Sequence, residues 1–230
     1  MERWIFTGAV DKRDLLLYIC KVLASSGCRV LLIDATDRGK YRYVIGGITG
    51  GEEKITEFNG FDVVRVGSEM DEAERFEAYD YCLYDVNHLL PASGQVWSEA
   101  WQVIWVASYD RYEIADSCEF YSRLFMTWPQ LRGMKVHPVF TRTMDTYVDE
   151  RYVMSLMEDL PIEWTEANIR IPWDEINIAV QTENEHSQTL RMNRITRAYK
   201  RAIADLISQL AGWESKTVKK ALRKAERRQA

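Results

Sequence analysis

The chain is short of the residue types that anchor metals and covalent bridges: its 230 residues include four cysteines and three histidines. Cys20, Cys28, Cys82 and Cys118 form no C-x-x-C pair, and each lies in an apolar or helical context that suits a reduced thiol. His88, His137 and His186 are scattered without ligand spacing, so no metal is assigned to them. No apolar stretch approaches the ~20 residues of a membrane span. The opening MERWIF also lacks the basic segment and apolar run of a secretory leader, so a cytoplasmic location is expected.

What the chain does have is core material. Hydrophobic residues make up 47% and charged residues 28%, with 12 glycines, which suits one globular core and excludes a fibrous or disordered chain. The eight tryptophans are expected to fill that core rather than mark a ligand site. The net charge of −5 conceals an asymmetry. Residues 190–230 hold 12 Lys/Arg against 3 Asp/Glu, a balance of +9 that leaves −14 on the rest.

RWIFTG ends a first apolar run, and DLLLYICKVLASSG then sets Leu15, Leu16, Ile19, Val22 and Leu23 on one side of a helix that stops at Gly27. CRVLLIDAT follows, and the unbroken run Val30 to Ile33 suits a strand covered on both faces, completing a βαβ unit. After a glycine-rich stretch at 46–54, expected to be mobile, further apolar runs occur at FDVVRVG, YDYCLYDV, WQVIWVAS and KVHPVFTR. Helices are expected over 69–78, 113–126 and 149–159. This alternation predicts an α/β fold, a mostly parallel sheet with helices on both faces. A last helix is expected over about 187–211, with Leu190, Ile195, Ala198, Ile203, Leu206 and Leu210 turned inward. The expected organisation is an α/β domain over 1–212 followed by a separate polar, basic tail over 213–230.

The stretch IFTGAVDKRDLL lies between the first strand and first helix, where a phosphate-binding loop sits. Such a loop works by backbone geometry: glycines let N–H groups surround phosphate at the helix N-terminus, a lysine neutralises charge, and a following Ser/Thr holds Mg²⁺. Gly8, Val10 and Lys12 stand where that loop wants them. Asp11 instead brings a carboxylate to a glycine position, where repulsion of phosphate at about 4 Å costs several kcal/mol, and Arg13 removes the metal-binding hydroxyl. Asp11 and Arg13 are expected to pair with neighbours and close the loop on itself. Asp34 and Asp85 end parallel strands, in the crevice where such sheets bind ligands, and a carboxylate there also caps a following turn.

In order and spacing these segments resemble the MinD/ParA family of deviant P-loop ATPases over roughly residues 3–212. The family loop KGGVGKTT lies on Thr7 to Asp14, VLLIDAT is similar to its VLLIDxD strand, and YDYCLYDV to its YDxxxxD strand. WQVIWVAS is similar to the strand that follows, and IPWDEINIAVQTENE to the late segment that carries an adenine-contacting loop. The resemblance implies a P-loop NTPase-like fold of the SIMIBI type and ATP with Mg²⁺ as cofactor. It implies Lys12 as the phosphate lysine, Asp34 as the switch I carboxylate orienting water, and Asp85 as the carboxylate acting through Mg²⁺. It further implies bacterial roles in partition, division-site placement or polar localisation, and a nucleotide-sandwich homodimer. The signature lysine on which that dimer relies is replaced by Thr7.

The departures at Thr7, Asp11 and Arg13 point to a catalytically degenerate member, a pseudo-ATPase with no cofactor, or with Mg-ATP where the degenerate loop still binds it, that positions a cellular assembly or DNA through a protein partner. Two alternatives remain at this stage. One is a slow ATPase with a rearranged loop. The other is a partition-like protein whose basic end holds DNA without reading sequence, through Arg194, Arg197 and Arg201 on one helix face and Lys219, Lys220, Arg223, Lys224, Arg227 and Arg228 in the tail. Membrane anchoring is disfavoured because the tail offers only Val218, Ala221 and Leu222 as apolar contacts.

Overall fold

The computed structural model describes residues 1–46, 55–65, 76–89, 94–166 and 169–227. The expected mobile stretch at 46–54 and helix at 69–78 therefore lie largely outside the described residues, as does Arg228. The elements are β1 (Glu2–Thr7), α1 (Arg13–Ser26), β2 (Val30–Ala35), α2 (Arg42–Ile45), β3 (Thr56–Phe58), β4 (Phe61–Arg65), β5 (Tyr81–Val86), α3 (Gly94–Ser98), β6 (Gln102–Ala107), α4 (Arg111–Thr127), β7 (Met134–Thr143), α5 (Glu150–Ser155), β8 (Ile162–Trp164), β9 (Ile169–Pro172), α6 (Glu175–Ser187), α7 (Arg197–Ala211) and α8 (Ser215–Arg227).

The nine strands form one sheet in the order β3-β4-β2-β5-β1-β6-β7-β8, with β9 also on β7. Each pairing is parallel except β3 with β4. This is the mostly parallel α/β architecture expected from the alternation of runs. The central strands are apolar because both faces are covered: β2 is buried throughout, and so is β5. On one face α1, α7 and α8 join Trp4, Phe6, Leu32 and Leu83 in a core. On the other, α4 and α5 pack Phe120, Tyr121, Leu124 and Val153 against Ile5, Ile33 and Trp105.

α1 is buried around its whole girth, from Leu15 through Ser25, and not along one stripe. The reason is α8, which lies against α1 on its outer side and sets Val218, Ala221 and Ala225 into the same core, with Leu222 partly buried. The segment expected to be a separate polar tail is thus a docked amphipathic helix. Its apolar stripe recurs at i, i+3 and i+7 but uses alanine, which carries little hydrophobic signal.

The single helix expected over 187–211 is two helices with a turn between them. Gln188 ends α6 in the left-handed region at φ 52°, and Thr196 starts α7 by accepting a hydrogen bond from the Tyr199 N–H. Between them, the Asn184 side chain accepts from Arg191 N, and buried Lys21 donates to the Leu190 carbonyl. Leu190 and Ile195 are buried as expected, but from this turn, and Ala198 is exposed. Arg194 precedes α7 and pairs with Glu183 of α6, so Arg194, Arg197 and Arg201 do not share a helix face. The expected helix over 149–159 is regular only over Glu150–Ser155. Among the described residues, no helix is long and apolar enough to cross a membrane.

Candidate functional site

The carboxyl ends of β1, β2 and β5 meet at one edge of the sheet. Register places Phe6 beside Asp85 and Asp34 beside Asp85, so both strand-end carboxylates sit next to the loop that follows β1. The loop leaves β1 at Gly8 with φ 110°, where a Cβ would stand 2.0 Å from the Val106 carbonyl oxygen. Close approach to β6 therefore demands glycine here whether or not any ligand binds.

Lys12 turns inward and not out of the loop. Its side chain is 2% exposed; Nζ donates to the Gly8 carbonyl at 2.6 Å and pairs with Asp85 Oδ1 at 3.0 Å. The other Asp85 oxygen accepts the Tyr41 hydroxyl at 2.8 Å. Tyr41, fully buried just before α2, also directs its backbone N–H at Asp34 Oδ2, 3.4 Å away. Asp34 Oδ1 accepts from the Thr36 hydroxyl at 2.5 Å and the Thr36 N–H at 3.1 Å, capping the turn after β2. Burial, with a smaller contribution from Asp85, raises the Asp34 carboxyl above its usual range although the Thr36 bonds oppose this. Nothing in the sequence signals Tyr41, because its place depends on how the chain returns after β2.

Asp11 and Arg13 form a clasp over the start of α1. The Asp11 carboxylate accepts from the Arg13 backbone N–H at 3.2 Å, from Nε at 3.0 Å and from Nη2 at 2.8 Å. Arg13 Nη1 reaches Glu185 of α6 at 3.3 Å. Burial alone would raise the Asp11 carboxyl, but the Arg13 hydrogen bonds and charge outweigh it and hold Asp11 below the usual carboxylate range. The N-terminal donor of α1 and the positive end of its dipole are thus satisfied by an anion the chain itself supplies.

Beyond the clasp lies a small open cleft of about 50 Å³ lined by Asp11, Asp14, Thr141, Arg142, Trp173 and Tyr199, among others. It is here that IPWDEINIAVQTENE, the end of β9 and most of α6, comes beside the loop. Asp14 accepts the Tyr199 hydroxyl at 2.7 Å, and burial raises its carboxyl. Thr7 contacts neither the cleft nor the clasp; it is buried, with its hydroxyl bonded to the Ile104 carbonyl and the Tyr121 hydroxyl.

These residues do not fit Mg-ATP as they are arranged. Lys12 is committed to Asp85 and Gly8, Asp85 to Lys12 and Tyr41, the α1 terminus to Asp11, and two carboxylates flank the way from loop to cleft. Among the described residues no group of His, Cys, Asp and Glu is placed to hold a metal ion. Of the basic residues expected to meet a polyanion, Arg197 and Arg201 are exposed on α7, and Lys219, Lys220, Arg223, Lys224 and Arg227 are exposed on α8.

A parallel sheet with this strand order, and a β1–α1 loop beside two strand-end carboxylates, defines a P-loop NTPase-like fold. Solved structures give that fold a narrower name: it is the fold of the MinD and ParA ATPases. The MinC:MinD cell division protein complex of Aquifex aeolicus matches with a TM-score of 0.65 at 16% identity, covering 93% of this chain and 97% of that one. A ParA family ATPase from Chlorobium tepidum TLS matches with a TM-score of 0.55 at 13% identity, covering 97% and 98%. A complex of a Cyanothece McdA variant with ATP matches with a TM-score of 0.58 at 12% identity, covering 93% and 97%. No protein-family model and no curated protein matches the sequence.

Proposed function

We propose that the chain is a cytoplasmic, bacterial positioning scaffold built on the MinD/ParA fold, which works without nucleotide and acts by docking a protein partner. The clasp carries this reading: Asp11 holds the α1 terminus, its partner Arg13 ties the loop to α6, and Lys12 is spent on Asp85. A loop closed by its own ion pairs gives the protein one standing conformation at this edge, in place of two that a bound nucleotide would select between. Thr7, uncharged and buried, likewise stands where the resemblance puts the lysine that would reach across a nucleotide-sandwich dimer. Calorimetric titration of the full chain with Mg-ATP tests the proposal. Absence of heat up to millimolar nucleotide is the expected result, and saturable binding would replace the scaffold with a slow ATPase.

The cationic face of α8 favours a second reading, in which the protein holds duplex DNA without reading sequence. Lys216, Lys219, Lys220, Arg223, Lys224 and Arg227 are all exposed on it. Removing α8 would uncover α1, so the suitable probe is Lys219→Gln with Arg223→Gln and Lys224→Gln. A gel shift that weakens with salt and disappears in this variant is the result that reading requires.

A further inference from the structure

α8 has a chemical counterpart elsewhere on the same molecule. Residues 144–166, which carry α5 and β8 at the far edge of the sheet, hold seven Asp/Glu against one Arg. Glu150 is tied to Arg170 and Tyr109, and Glu163 to Lys135. Asp145, Asp149, Glu158 and Asp159 remain at the surface without an ion pair among the described residues, and beside them lie exposed rings: Tyr147 is 98% exposed and Tyr152 50%. Carboxylates beside open tyrosine faces suit lysine and arginine heads, through charge and through cation–π contact, while their aliphatic stems cover the rings. α8 presents six such heads, and among the described residues none of the six is ion-paired within its own chain.

We infer that the acidic, tyrosine-bearing edge around α5 is a docking surface for the cationic face of α8 on a second copy of this chain, so that copies associate head to tail. The inference rests on the scaffold reading, for which such an array is the assembled form. Two features of the structure shape the contact. The surfaces lie on opposite faces of the sheet, since α8 sets Val218, Ala221 and Ala225 into the core shared with α1, whereas α5 sets Val153 into the core shared with α4. Docking one pair therefore leaves a free α8 at one end and a free α5 edge at the other, and the contact propagates instead of closing as a twofold dimer. The acidic stretch 144–166, with seven Asp/Glu against one Arg, and the six cations of α8 become the two complementary ends of one repeating contact.

Sedimentation of the full chain at low and high salt tests this. At about 50 mM salt the mean mass should rise with protein concentration without a plateau, and at about 0.5 M salt, where screening is short-ranged, it should return to the 26.9 kDa monomer. Lys219→Gln/Arg223→Gln/Lys224→Gln and Asp145→Asn/Glu158→Gln/Asp159→Asn should each be monomeric with unchanged thermal melts. Mixed in equal amounts they should give particles of two chains only, because the mixture holds one intact surface of each kind per pair. A wild-type monomer at low salt, a plateau at the dimer, or growth that survives loss of the α8 charges would overturn the inference. So would a monomer whose α8 responds only to added duplex DNA, which would assign that face to nucleic acid. Neither surface includes the β1–α1 loop, so nucleotide titration decides the scaffold reading separately.

Discussion

Around Lys12 the charges of Asp11, Lys12, Arg13 and Asp85 are spent on neighbours in the same chain, whereas along α8 six cations stand in solvent with no ion pair among the described residues. The first region has the address of a ligand site and the energetics of a structural joint; the second has the sequence of a solvated tail and is a rigid charged surface on a buried foot. Charge available for binding is charge the fold has left unspent. By that measure the charge left over for contacts with other molecules lies along α8 and not at the β1–α1 loop.

Unfolding experiments can break the comparison, and the largest effect should come from Lys12. Lys12→Met strands Asp85, buried and left with Tyr41, and should cost about 3–5 kcal/mol in urea unfolding. A loss under about 1 kcal/mol would mean Lys12 is solvated and free for phosphate. Next comes the foot of α8: Ala225→Asp places a carboxylate in the core against α1 and should cost about 3 kcal/mol, while Lys219→Gln on the outer face should stay within about 0.5 kcal/mol. Equal effects would show that α8 is not docked.

Smaller shifts sharpen the picture of the clasp. Asp11→Ala should cost about 1–2 kcal/mol at neutral pH, measured as a change in urea midpoint. Because the Asp11 carboxyl is held below its ordinary value of 3.8, this contribution is present above that value and is lost as pH falls through the folded-state pKa, so wild type and variant should converge in acid. Asp14 works in the opposite sense. Its carboxyl is raised by burial, so the folded state favours the proton and wild-type stability declines as pH climbs from 3.8 through the raised value. Asp14→Asn keeps an acceptor for the Tyr199 hydroxyl without that charge and should melt about 2–4 °C higher near pH 7, with no gain near pH 3.

The sheet was legible because its central strands are continuous apolar runs: Val30 to Ile33 reads as a strand buried on both faces, and Asp34 and Asp85 fall at matched strand ends. The closed loop was legible too, as charge at positions where phosphate wants glycine and hydroxyl. The pieces that escaped obey no period. The break at 188–196 depends on side-chain bonds from Asn184, Thr196 and Lys21 to backbone, and of these only the capping Thr196 leaves a trace in sequence. β3, β8 and β9 have three, three and four residues, too few for alternation to register. Tyr41 reaches Asp85 across 44 positions, a contact that only the assembled sheet creates. α8 reads as a tail because alanine buries well against α1 but adds little to a hydrophobic pattern.

The cover that α8 provides for α1 also sets a timetable. α1 ends at Ser26 and α8 starts at Ser215, so a ribosome adding about 5–20 residues per second makes the helix roughly 10–40 s before its lid. For that interval the outer flank of α1 has no partner, and the nascent chain offers chaperones a sticky surface that vanishes only when α8 is released. Loss of α8 by premature termination should therefore leave a protein that is cleared or aggregates, not a shortened working copy.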